Sequence, residues 1–281
     1  MNKTLTRFAL LAAVSSVALA ACNSTPVPQA PTGRVAYGID ASGQLAQFGL
    51  DNAGASYSTR AFTGLGAGET LVDLDFWNKD SALYALSSNG TLYKVDPATG
   101  ALSKDSMGAL ATPAAMDFNP AAGRLRVFST ADDNFRITPA TGLVTPDGKL
   151  VYTGTDVKTG TNPTLTAAAY TNSFAGVTPA ATETALYSID AGTDTLVMHT
   201  VGPAFSTLNT VGNLNIDAPN GATGFDIVGQ NEAYLSTSTG TTTALYTVNL
   251  LTGATTQTAT FTGSLKTFAV TLPSKSTPLS K

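Results

Sequence analysis

Three aspartates sit at matching points of three short apolar segments: Asp75 in "LVDLDF", Asp117 in "AAMDFN" and Asp226 in "GATGFDIVG". Side chains alternate sides along an extended chain, so equivalent positions in equivalent strands share one face. If those strands converge, three carboxylates meet. Such a group would ligate a hard cation through oxygen, or its members would repel one another and raise a pKa into the range of acid–base work. A plainer reading has each Asp accept backbone N–H groups of a neighbouring strand. Ala169 and Val270 stand at roughly the equivalent point of two further segments, which leaves the ring of acids incomplete and favours the plainer reading. No metal or cofactor is assigned.

A second group is basic. Arg124, Arg126 and Arg136 fall on two neighbouring strands of one repeat, where they form either an anion-binding patch or, the favoured reading, interstrand pairs with nearby acids. His199 is the only histidine, and "LVMHT" alternates like an ordinary strand, so a structural role is expected for it. No serine stands in a G-x-S-x-G elbow. The Gly-rich "TGLGAGET" (63–70) lacks the Lys-Ser/Thr ending of a phosphate loop. "ADDN" (131–134) reads as a turn rather than a calcium loop, and Trp77 is the sole tryptophan. No catalytic residue is assigned. The enzyme alternative, a metal-dependent hydrolase or polysaccharide lyase working through the axial carboxylates, rests on an incomplete acid ring.

The elements that position these residues repeat. "ALYALSSNGTLYKVDPATGAL" (82–102) overlays "RLRVFSTADDNFRITPATGLV" (124–144) without a gap, and each copy follows a further short strand, so a unit holds four strands. Four strands at a period of roughly 40 to 45 residues describe a blade of a β-propeller. Looser copies run over 165–212 and 221–261. At the ends, 34–40, 43–49 and 56–62 supply the three outer strands of a blade, and 264–272 supplies its missing inner strand. The expected fold is therefore all-β, a propeller of five four-stranded blades closed by pairing of N- and C-terminal strands, which removes free edges. Six blades remain the alternative if the insertion at 152–164 adds strands.

"MNKTLTRFALLAAVSSVALAAC" has a basic start and a short apolar run, the pattern of an export signal. "LAAC" has the form of a lipobox, which makes Cys22, the only cysteine, the expected lipid anchor. The expected organisation is a signal over 1–21, a flexible tether over 22–33, a propeller over 34–273 and a tail over 274–281. Without Lys3 and Arg7 the 15 basic residues fall to 13 against 19 acidic, a formal charge of −6. That balance argues against nucleic acid as a partner and leaves the lipid as the route to the membrane.

Taken together, "GETLVDLDF" (68–76), "LYALSSNGTLYKVDPATG" (83–100), "RLRVFS" (124–129), "AAAYTNS" (167–173), "LYSIDAGTDTLV" (186–197), "STLNTVG" (206–212) and "LYTVNLLTG" (245–253) resemble the bacterial family called domain of unknown function 4394. The resemblance implies a secreted or lipoprotein propeller-like domain and brings no activity with it. The expected protein is a binding or scaffold module of the cell envelope, exported and lipid-anchored, with an unknown protein or polysaccharide as partner.

Overall fold

The computed structural model describes residues 27–202 and 204–275; the signal segment 1–21 and Cys22 lie outside them. Five antiparallel sheets are arranged as blades in a ring. The innermost strands are Leu71–Trp77, Pro113–Asn119, Leu165–Tyr170, Thr223–Val228 and Leu265–Val270, and each lies against the innermost strand of the blade on either side. Blade one joins Leu265–Val270 to Val35–Asp40, Leu45–Gly49 and Ser58–Arg60; blades two to five follow in chain order. Closure is antiparallel, with Ala36 opposite Val270 and Gly38 opposite Phe268.

Burial follows distance from the axis. All six residues of Leu165–Tyr170 and of Thr223–Val228 are buried, whereas the outer strand Thr255–Thr262 is largely exposed. Crowding near the axis explains the small residues there. A Cβ on Gly224 would come within 2.8 Å of the Phe268 backbone nitrogen. Apolar side chains on the blade faces form five separate cores, one in each gap between adjacent blades.

The repeated "TG" has a physical cause. In three blades the glycine closes the turn between the two outer strands: Gly100 N–H bonds to Asp96 O at 2.8 Å, Gly142 to Thr138 O at 2.9 Å and Gly253 to Asn249 O at 2.8 Å. All three have positive φ, which glycine adopts without strain. Each also abuts the outer edge of the preceding blade. A Cβ would lie 2.5 Å from Ala61 O, 2.2 Å from Met107 O or 2.6 Å from Gly212 O respectively, so one residue both turns the chain and lets neighbouring blades approach.

The insertion after blade three adds no sixth blade. Val151–Tyr152 pairs in parallel with Thr207–Asn213 and becomes a fifth, outermost strand of blade four. Within the stretch expected as a tether, Gln29 N–H bonds to Ala55 O at 2.8 Å and Asn52 Nδ2 donates to Ala30 O at 2.9 Å, so blade one holds the chain from Gln29 onward.

Candidate functional site

The axial acids satisfy both of the alternatives that the sequence set against each other. Asp75, Asp117 and Asp226 converge, each offering a carboxylate oxygen within 4.8 Å of the other two. Each also accepts a backbone N–H from the next blade: Phe118 to Asp75 at 2.9 Å, Tyr170 to Asp117 at 3.2 Å and Val270 to Asp226 at 2.6 Å. The donor is the residue after the equivalent position. This register makes Ala169 and Ala269, rather than Val270, the apolar members of the ring. A fourth acid, Asp73, lies one pleat away and accepts Met116 N–H at 2.7 Å and the Thr267 hydroxyl at 2.5 Å. Sequence reasoning passed over Asp73, although the i, i+2 spacing in "DLD" already places it on the face of Asp75.

Burial governs the electrostatics of this cluster. It raises the Asp73 carboxyl to about 6 and Asp226 to about 7. Asp75 and Asp117 are held well above the usual carboxylate range, first by burial and then by the carboxylates facing them. Three single oxygen ligands are half or less of the six to eight that calcium takes, and Asp75 already uses both oxygens, accepting Phe76 N–H at 2.6 Å as well as Phe118. Burial and mutual repulsion favour shared protons within the group, and its contacts with backbone N–H groups tie inner strands together around the axis.

The arginines come together elsewhere. Arg124 and Arg126 alternate along Arg124–Ser129, and Arg136 is paired across from Arg126, so all three project from the face of blade three that meets blade four. There they line a recess of about 440 Å³ with Asn119, Tyr170 and Phe205. Arg126 is 2% exposed and forms its floor, donating to Tyr170 Oη at 3.1 Å, Asn134 Oδ1 at 2.6 Å and Asp147 Oδ2 at 2.6 Å. Arg136 grips the same carboxylate with two nitrogens, at 2.7 and 2.8 Å. Interstrand pairing with an acid thus holds for Arg126 and Arg136. Arg124, half-buried, donates to Thr138 Oγ1 and forms no ion pair among the described residues.

Blade four supplies the opposite wall from two segments that break the repeat, 171–185 and the described residues of 200–206. Ala181 and Thr184 come from the first, Val201, Gly202 and Phe205 from the second. His199 holds the second segment in place. Its Nδ1 lies 2.7 Å from Phe205 O, which can only accept, so Nδ1 carries the proton and Nε2 accepts from Ser188 Oγ at 2.8 Å. The ring stacks on Phe128 at 5.1 Å, and burial together with the nearby Arg126 charge lowers its pKa to about 3. A Ser–His contact exists, but both residues are fully buried and a backbone carbonyl, that of Phe205, rather than an acid orients the imidazole.

Asp132 adopts a positive φ and Asp133 pairs with Lys149, which makes "ADDN" the turn the sequence suggested. Trp77 stacks on Phe118 at 5.2 Å and belongs to the packing of blades two and three. Asp147 and the blade-four segments were missed from sequence: Asp147 lies in the irregular "TPDG", and the segments lie in insertions that align with nothing.

A closed five-bladed propeller with converging acids on its axis and an arginine-lined recess off it is the class of protein defined here. The chain belongs to the family described as Domain of unknown function (DUF4394), whose model matches residues 44–271. Among solved structures it is similar to a chain of a nidogen/laminin complex, with 12% identity, 86% of this chain and 99% of that chain covered, and a TM-score of 0.51. It is also similar to a structural-genomics protein of unknown function from Bacteroides thetaiotaomicron, with 15% identity, 74% and 50% covered, and a TM-score of 0.46. At 12% identity the likeness to the nidogen/laminin chain speaks to fold alone. No curated protein matches the chain.

Proposed function

We propose that the protein is a lipid-anchored, extracytoplasmic binding module of the bacterial cell envelope, without catalysis of its own, whose ligand site is the recess between blades three and four. One observation carries the reading. The described surface holds a concavity of about 440 Å³, in the size range of small-molecule sites, with a few fixed polar groups set in an apolar lining. The export pattern of 1–21 and the lipobox form of "LAAC" support anchoring through Cys22. A protein or polysaccharide partner would meet the loops around the recess mouth. The enzyme alternative loses ground because the axial acids are buried and engaged by backbone N–H groups.

The fluorescent probe 1-anilinonaphthalene-8-sulfonate tests the binding site. Mature protein is expected to bind it saturably with one-to-one stoichiometry. Ala122→Trp, at an exposed residue of the lining, should remove that binding while leaving the melting temperature unchanged. Absence of a saturable phase, or one that the tryptophan leaves intact, contradicts the proposal.

A further inference from the structure

Resting on that reading, we infer that the recess selects a small amphiphilic oxyanion, with its carboxylate, sulfate or phosphate head on Arg124 and Arg136 and its apolar body against Phe205, Val201 and Ala122. Among the described residues three arginines line the recess and no carboxylate does. Asp147, whose side chain is buried, is shared between Arg126 and Arg136, whereas Arg124 pairs with no acid among the described residues. Water screens the rim, yet the apolar lining lowers the local dielectric and strengthens attraction to an anion. Arg124 is the group best placed to answer that charge. Its hydroxyl partner Thr138 brings no negative charge, and a guanidinium suits a planar or tetrahedral oxyanion through paired N–H donors.

The body of the ligand follows from the remaining surface. Val201 is 62% exposed at the recess, an apolar side chain facing solvent where the binding of an apolar group would cover it. Phe205 presents its ring 5.4 Å from the Arg126 guanidinium, which fixes the aromatic wall by a cation–π contact. The floor is also set before any ligand arrives, because Ala204 O accepts from both Arg126 Nη1 at 3.0 Å and Asn134 Nδ2 at 2.6 Å. A charged head and an apolar body are both required, since neither half of the surface is complemented by a simple inorganic anion or a plain hydrocarbon.

The test compares two probes of nearly one shape, 1-anilinonaphthalene-8-sulfonate and its uncharged parent N-phenyl-1-naphthylamine, by fluorescence titration of the mature protein. The sulfonate should bind about tenfold or more tightly than the parent, the effect expected of one charge-assisted contact. Arg124→Gln should weaken the sulfonate by about the same factor without weakening the parent, and Arg124→Lys should recover part of it. Added salt should loosen only the sulfonate. Thermal melts confirm that each variant is folded. Equal binding of both probes, unchanged in Arg124→Gln, overturns the choice of oxyanion and leaves the binding module standing. Failure of the sulfonate to saturate at all removes the binding module itself.

Discussion

Asp117→Asn and Asp75→Asn should shift stability in opposite directions, because the two carboxylates accept different numbers of backbone N–H groups. Asp117 accepts one backbone N–H, from Tyr170, and an Asn carbonyl can accept it equally well while its NH₂ takes the place of an oxygen that faces the carboxylates of Asp75 and Asp226. Asp75 accepts N–H groups on both oxygens, so an Asn there must point its own NH₂ at a backbone N–H. Burial and mutual repulsion raise the folded-state pKa values of the cluster above those of the unfolded chain. The stability tied to that protonation is fully present below the unfolded pKa near 4 and is lost as pH rises through the folded values. With Asp226 displaced to about 7 from 3.8, the decline between pH 4 and 8 is on the order of a few kcal/mol and is shared across the interacting acids. At pH 8 Asp117→Asn removes one charge from this group, so it should stabilise by about 1 to 3 kcal/mol and flatten the decline, while having little effect at pH 5. Asp75→Asn should cost about 1 to 3 kcal/mol at either pH, the penalty for an unmet buried donor. Urea unfolding of both variants and the parent at pH 5 and 8 makes the comparison. If Asp117→Asn destabilises at pH 8, or if parent stability rises from pH 5 to 8, proton sharing on the axis is the wrong description.

Calcium or magnesium at millimolar concentration should leave the parent melting temperature unmoved; a rise of several degrees that vanishes in Asp117→Asn would show the acids to be a cation site instead. His199, held neutral with its pKa lowered to about 3, contributes stability that is present above pH 6.5 and lost as pH falls toward 3, so His199→Leu should melt lower at pH 7 and show a shallower acid limb, as followed by circular dichroism. Deleting everything after Gly263 removes the strand paired with Val35–Asp40 and the core residues Leu265, Phe268 and Val270, and the truncated chain should lose its cooperative melt; a melt like that of the parent would mean the ring closes otherwise. Cys22→Ser should abolish acylation and leave unprocessed or released protein, which mass spectrometry of the mature N-terminus would read.

The repeat was legible because each blade solves the same steric problem. Alternating apolar residues cover both faces of the inner strands, and a "TG" turn must fit against the preceding blade, so 82–102 and 124–144 carry nearly the same pattern. The closing strand could be read for the same reason: "SLKTFAVTL" has the apolar phase of an inner strand and no partner nearby in sequence. The acids were legible as a phase but not as a geometry. Convergence and backbone capping look like rivals in sequence, whereas the stagger between neighbouring inner strands lets one carboxylate do both. A one-residue offset in that stagger is also what moved the equivalent position from Val270 to Ala269. The recess was half legible. Arg124, Arg126 and Arg136 share a face by simple alternation, but the wall opposite is built by insertions with no periodic pattern, and Asp147 pairs from an outer strand interrupted by Pro146 and Gly148.

The central claim is that the recess of blades three and four is the ligand site and that charge orients what enters it. A crystal structure of the mature protein soaked with 1-anilinonaphthalene-8-sulfonate tests this most directly. The account predicts one molecule in the recess, with sulfonate oxygens at hydrogen-bond distance from Arg124 and Arg136 and the rings against Phe205 and Val201. Density at the axial mouth or on another blade, with the recess holding only solvent, would contradict it.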